Sequence, residues 1–276
     1  MSVGEDAGSR CLCKRGVGLA LGSGAARGLA HIGVLKVLER EGIEVKAISG
    51  ASMGALVGGL YAAGMPLSEM ERYALAVTRR SVLAWIDPIP PKQGFIMGKK
   101  IEELLRSFIG DVDFSELRIP LAVAAADILT GEEVILREGD VVDAIRASIS
   151  IPVVFVPVQL GRRMLVDGGV VNPVPVDYIR MLDRSAVSVA VSVLPKLERK
   201  QVEKPGTVDI VLNTLDIMQI RLFEARRGEA KVVIEPDVAF ATGVEFWEAR
   251  QIIARGEEAA LDALPSIRKA LGGLPW

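Results

Sequence analysis

Residues 17–21 form an unbroken apolar run that ends in Gly22-Ser23-Gly24. Behind it, Leu29, Ile32, Leu35 and Leu38 return near the helical period. This pattern predicts a strand over 17–21 and a helix over 25–40, closed by Gly42. A second strand over 45–48 leads through Gly50-Ala51-Ser52-Met53-Gly54 into a small-residue helix over 55–63, stopped by Gly64 and Pro66. Further helices are expected over 67–79, 99–109, 140–147 with Asp140 as cap, 212–226 and 246–271. Strands are expected over 121–127, 133–136 across a Thr130-Gly131 turn, 153–160, 164–166, 187–193 and 231–234. Residues 81–98 read as irregular chain, and the charged stretch 195–205 as a surface loop or a frayed end. Strands alternating with helices predict an α/β fold, a mostly parallel central sheet with helices on its faces. The alternation does not break, so one domain is expected over 16–276 behind a disordered polar tail, 1–15.

Composition narrows the class. Half of the 276 residues are hydrophobic, enough for a sizeable core. Lys and Arg total 33 against 35 Asp and Glu, so no basic excess points to nucleic acid. Cys11 and Cys13 stand one residue apart, and no His or Cys cluster completes a metal site. Neither a metal nor an organic cofactor is expected, and free thiols suit a reducing, cytoplasmic setting. No apolar run nears the roughly 20 residues that span a bilayer. The N-terminus lacks a secretory apolar core. Any membrane contact is therefore expected to be peripheral.

The candidate chemistry starts at Ser52. Gly50 and Gly54 flank it in G-x-S-x-G between a predicted strand and a predicted helix, the turn that lifts a serine oxygen clear of the backbone. A tight turn with Ser as helix cap gives the same pattern. The one histidine, His31, lies inside the first helix and reads as a packed structural residue rather than the base. That leaves a carboxylate to take the serine proton. Asp167, at a strand end before Gly168 and Gly169, has the best context; Asp127, also at a strand end, is the rival. The third element is Gly22-Ser23-Gly24-Ala25-Ala26-Arg27-Gly28, which follows a strand and opens a helix. Such a loop gathers backbone N–H groups into an anion pocket. A dinucleotide site would want Gly where Arg27 stands, whereas an oxyanion pocket beside a nucleophile is coherent. Arg27 either binds a substrate phosphate or bridges to a carboxylate and stiffens the loop, and the second is preferred.

In this order, the motifs resemble those of the patatin-like phospholipases, closest to the compact bacterial and archaeal members related to the neuropathy-target-esterase branch. The resemblance rests on residues 22–35 (GSGAARGLAHIGVL), 50–54 (GASMG), 147–155 (ASISIPVVF), 167–176 (DGGVVNPVPV) and 232–237 (VVIEPD). It implies a three-layer α/β sandwich, Ser52 as nucleophile and Asp167 as its base. It also implies oxyanion donors at Gly22, Ser23, Gly24 and Ala25, supported by Arg27 and Gly28, and a non-catalytic His31. Ser23 and Ala25 stand where glycines can stand in the family. The expected activity is acyl-ester hydrolysis through an acyl-enzyme on a phospholipid, lysophospholipid or other lipid. An acyltransferase, or a binding or regulatory protein on the same fold, are the alternatives. Residues 81–98 carry Leu83, Trp85, Ile86, Ile89, Phe95 and Met97 and are expected to form a mobile cover or a lipid-contacting surface.

Overall fold

Side-chain size alternates along the central strands, and this sets the layers. The computed structural model describes residues 16–89, 94–195 and 206–272. In chain order the strands and α-helices are β1 (Val17–Leu21), α1 (Ala30–Arg40), β2 (Val45–Ala51), α2 (Met53–Ala62), α3 (Leu67–Ala76), α4 (Arg79–Trp85) and α5 (Lys99–Ile109). There follow β3 (Leu121–Asp127), β4 (Glu133–Leu136), α6 (Val141–Ser148), β5 (Val158–Leu160), β6 (Arg163–Asp167), α7 (Asp177–Leu182), β7 (Val187–Val191), α8 (Thr207–Arg226), β8 (Val232–Ile234) and α9 (Ala249–Ala270). The sheet runs β5-β6-β3-β2-β1-β7-β8, with β4 also paired to β3. Strands β3, β2, β1, β7 and β8 are parallel; β4, β5 and β6 join antiparallel at one side.

On one face Leu19, Leu21, Ile48, Val123, Val189 and Val191 pack against α1, α2 and α9. Burying each such side chain contributes about 1.5–3 kcal/mol. On the other face the strands offer Ala20, Ala47, Ala190, Ala51, Ala122 and Ala124, packed under Ile179, Tyr178 and Phe223 of α7 and α8. Small residues let that layer lie close: a Cβ on Gly18 would collide with Ile179, and the Ser49 hydroxyl donates to the Pro175 carbonyl at 2.6 Å. The result is the α/β sandwich with helices on both faces of the sheet.

Several boundaries differ from the sequence expectation. The helix expected over 25–40 begins with a 3-10 turn (Ala25–Leu29), entered through Ala25 at φ +48°. The helix expected over 67–79 stops at Ala76, because Val77 is extended and Thr78 opens a new helix through a capping box with Ser81. Residues 81–85 are therefore helical rather than irregular. The strand expected over 153–160 is reduced to 158–160, since Val153 sits at φ +72° and turns the chain. Helix α7 was not anticipated. The expectations for the tail 1–15, for 90–93 within the cover segment and for 196–205 fall outside the described residues. Among the described residues, no helix is long and apolar enough to cross a membrane.

Candidate active site

Parallel pairing puts the ends of β1 and β2 side by side, with Leu21 opposite Gly50. Both following loops therefore emerge at one edge of the sheet. Ser52 leaves β2 at φ 53°, ψ −121°, a region costly for any side chain, and opens α2. The flanking glycines allow that turn. A Cβ on Gly54 would collide with the Leu21 carbonyl, and one on Gly50 would meet the α2 backbone at Gly54 and Ala55. Gly28 is needed for a similar reason, because a Cβ there would run into Met53.

A hydroxyl not anticipated from sequence holds the turn. The Ser52 N–H donates to Ser148 Oγ at 2.9 Å, and that hydroxyl donates onward to the Ala124 carbonyl at 2.6 Å. Ser148 is fully buried at the end of α6. Two residues on, the Ser150 carbonyl accepts the Asp167 N–H at 2.9 Å. The Ala-Ser-Ile-Ser segment thus grips both candidate residues; the sequence marked it by its paired serines and its place in the 147–155 motif, without showing what they hold.

Asp167 ends β6 beside the Ser52 turn. Ser52 Oγ donates to Asp167 Oδ2 at 2.5 Å, while Oδ1 accepts the Gly169 N–H at 2.7 Å. Gly168 carries no side chain because a Cβ would strike the Ala124 carbonyl. Ser52 and Asp167 are both buried. Burial pushes the Asp167 carboxyl up to about 6, against the opposing pull of the Ser52 hydroxyl and the Gly169 N–H. Asp127 is not brought to this pair: its Oδ1 accepts the Leu129 N–H at 3.0 Å and shapes the turn into β4.

His31 is wholly buried. Its Nε2 meets the Gly22 carbonyl at 2.8 Å, so that nitrogen carries the hydrogen. Burial pushes the imidazole down to about 4, outweighing the Gly22 bond, so it is neutral near pH 7. It braces the glycine loop, while Ser52 Oγ bonds to Asp167 instead.

The glycine loop corrects one expectation. The Gly22 N–H is committed to the Val191 carbonyl at 2.9 Å and the Ser23 N–H to that of Pro173 at 2.8 Å, so neither is a free anion donor. The Ala26 and Arg27 N–H groups bond to Gly243 and Gly24 carbonyls. Gly24 and Ala25 remain outside this pairing among the described residues. Met53, the first residue of α2, adds an N–H with no partner in its own helix. Arg27 is buried; its Nε donates to the Gly24 carbonyl, and both terminal nitrogens grip Asp216 of α8 at 2.7 and 3.2 Å. Ser23 Oγ donates to Gln219 Oε1 at 2.8 Å. Asp216 and Gln219 lie three apart on one helical face. Nothing near them in the sequence marked them out.

Ser52 and Asp167 open on a cavity of about 590 Å³ whose walls are mostly apolar, including Leu56 and Leu60 of α2, Met70 of α3, Trp85 of α4 and Leu105 and Phe108 of α5. Among the described residues, no cluster of three or more His, Cys, Asp or Glu could hold a metal ion.

The profile of the patatin-like phospholipases matches residues 19–180, which hold the glycine loop, Ser52 and Asp167. The chain belongs to the patatin-like phospholipase family. An uncharacterized NTE family protein of Mycobacterium tuberculosis is 42% identical over 176 residues, 64% of this chain and 48% of that protein. A second NTE family protein of the same organism is 31% identical across 95% of this patatin-like chain and 49% of its own. A lysophospholipase of Emericella nidulans is 31% identical over 182 residues, 65% of this chain and 12% of the fungal one. The chain spans about half the length of the mycobacterial relatives. Among solved structures, VipD from Legionella pneumophila shares the patatin-like fold, with a TM-score of 0.55 at 15% identity, covering 91% of this chain and 67% of that one.

Proposed function

We propose that the chain is a serine lipid acyl hydrolase working through Ser52 and Asp167. The observation that carries this is the 2.5 Å hydrogen bond from Ser52 to a buried carboxylate at the head of an apolar cavity. The cavity receives the acyl chain, and the ester carbonyl meets Ser52 Oγ. As the Oγ–carbon bond forms, the hydroxyl proton passes to Asp167 Oδ2. The negative charge that develops on the carbonyl oxygen faces the N–H groups of Gly24, Ala25 and Met53 at the N-terminus of α2. Collapse breaks the bond to the alcohol, which leaves with the proton from Asp167. Water then attacks the acyl-serine, gives its proton to Asp167, and the fatty acid departs as Ser52 regains its hydrogen.

A carboxylate base with a value of about 6 is ionised at neutral pH, yet far more basic than an exposed aspartate. The family membership and the lysophospholipase relative support a lipid ester as the substrate class. The test is Ser52→Ala, which should keep the fold and lose several powers of ten in activity, together with labelling by a fluorophosphonate. Substantial hydrolysis by pure Ser52→Ala protein would exclude this mechanism.

A further inference from the structure

Among the described residues, the lining of the cavity is almost uncharged: only Arg27, Asp167 and Asp216 carry formal charge. Arg27 and Asp216 are matched to each other through two parallel hydrogen bonds. The one cation among the described lining residues is thus already neutralised, inside a wall where its charge is little screened by water. This polar wall adjoins the reacting pair. Gln219 Nε2, Asp167 Oδ1 and Ser23 Oγ all lie within about 3 Å of one point, the position of a Cβ on Gly169. Next to the ester, the site therefore offers a hydroxyl, an amide, a balanced ion pair and one unbalanced carboxylate.

We infer that the Arg27–Asp216 pair makes this site select acyl esters whose alcohol portion carries no net charge, against esters with a net-anionic alcohol portion. The inference rests on the proposed hydrolase reading and names its substrate class. A net-anionic headgroup would face Asp167 and Asp216 with no free cation among the described lining residues in return. It would also add to the negative charge that develops on the carbonyl oxygen. A glycerol hydroxyl finds Ser23 and Gln219 instead. A zwitterionic headgroup brings its own cation, so it adds no net charge to the wall.

The test compares a monoacylglycerol, a lysophosphatidylcholine and a lysophosphatidylglycerol with one acyl chain, each below its micelle concentration. For the wild type, kcat/KM for the first two should exceed that for the third at least about tenfold. Asp216→Asn leaves Arg27 unpaired and should narrow the gap about tenfold; Arg27→Gln leaves Asp216 unpaired and should widen it by a similar factor. Asp216→Glu, which keeps the pair, should keep the wild-type selectivity. The two opposite shifts are read as ratios, so a general loss of rate does not hide them, and either variant suffices if the other fails to fold. Equal wild-type turnover of all three lipids, or variants that slow all three by one factor, would overturn the inference and leave the hydrolase reading standing. Hydrolysis of all three that survives Ser52→Ala would overturn the hydrolase reading itself.

Discussion

At the scale of single residues, the site depends on groups that hold Ser52 and Asp167 rather than on those two alone. Ser148→Ala removes the acceptor of the Ser52 N–H and leaves a buried donor unpaired at a strained turn. Such a loss costs about 1–3 kcal/mol. Because that turn seats the proposed nucleophile, kcat should fall about tenfold or more with little change in KM, and fluorophosphonate labelling should slow in step. A variant with lowered stability but wild-type kcat would reduce Ser148 to a packing residue. The proposed proton acceptor gives a second prediction. With Asp167 at about 6, kcat/KM should fall tenfold per pH unit below that value, because the base must be ionised to act. His31, pushed down to about 4, is still neutral where this limb begins and should not set it. The measurement is a pH–rate profile on a small soluble ester. An acid limb that moves strongly in His31→Ala would transfer the proton to the imidazole.

Among the α-helices, α4 stands apart because none of its residues is buried, although Val82 and Trp85 line the cavity. It is held at its edges. Trp85 meets Phe246 edge-on at 6.1 Å, Arg79 lies over Trp247 at 4.6 Å, and Lys100 caps the carbonyls of Ala84 and Ile86. Leu83 points outward, 67% exposed. A short helix with few buried contacts opens at low cost. We therefore expect α4 to act as the cover over the cavity and to meet lipid with Leu83. With Trp247 and Trp276 replaced, Trp85 emission should shift to the blue when neutral micelles are added. Leu83→Asp should slow hydrolysis of micellar lipid several-fold and spare a soluble ester. An unchanged spectrum during active lipid hydrolysis would count against this role. The prolines that made 81–98 look irregular hid the helix, while the Thr78–Ser81 capping box, readable three residues apart, announced it.

For the molecule as a whole, the buried Asp167 and His31 pull stability in opposite directions as pH changes. Asp167 is raised from 3.8 to about 6, so between those values the folded protein keeps a proton that the unfolded chain gives up. Stability from this group therefore falls as pH rises through that window, by about 3 kcal/mol in all, and stays lower above it. His31 is lowered from 6.5 to about 4, so its contribution falls as pH drops through the corresponding window, by a similar amount. Asp167→Asn keeps the shape and removes the first effect. It should be more stable than wild type at pH 8 and nearly equal to it near pH 4, measured by urea unfolding at both values. An equal difference at the two pH values would show that the buried carboxylate carries no such cost.

The alternation of strand and helix, the turn at Ser52, the glycine loop and the Asp-Gly-Gly corner were all legible in the sequence. They are local: hydrophobic period and glycine placement act over a few neighbouring residues. Helix α5 and strands β3 and β4 kept their expected limits for that reason. Tertiary structure alone decided the rest. It brought Ser52 to Asp167, the pair that only the family resemblance had implied, across 115 residues, and chose Asp216 as the carboxylate for Arg27 across 189, distances over which no local pattern operates. It engaged the N–H groups of Gly22 and Ser23, two of the four expected oxyanion donors, in joining the loop to Val191 and Pro173. The direction of the Asp167 shift was also undecidable in advance, since burial and hydrogen bonding oppose each other and only the packed site shows that burial wins.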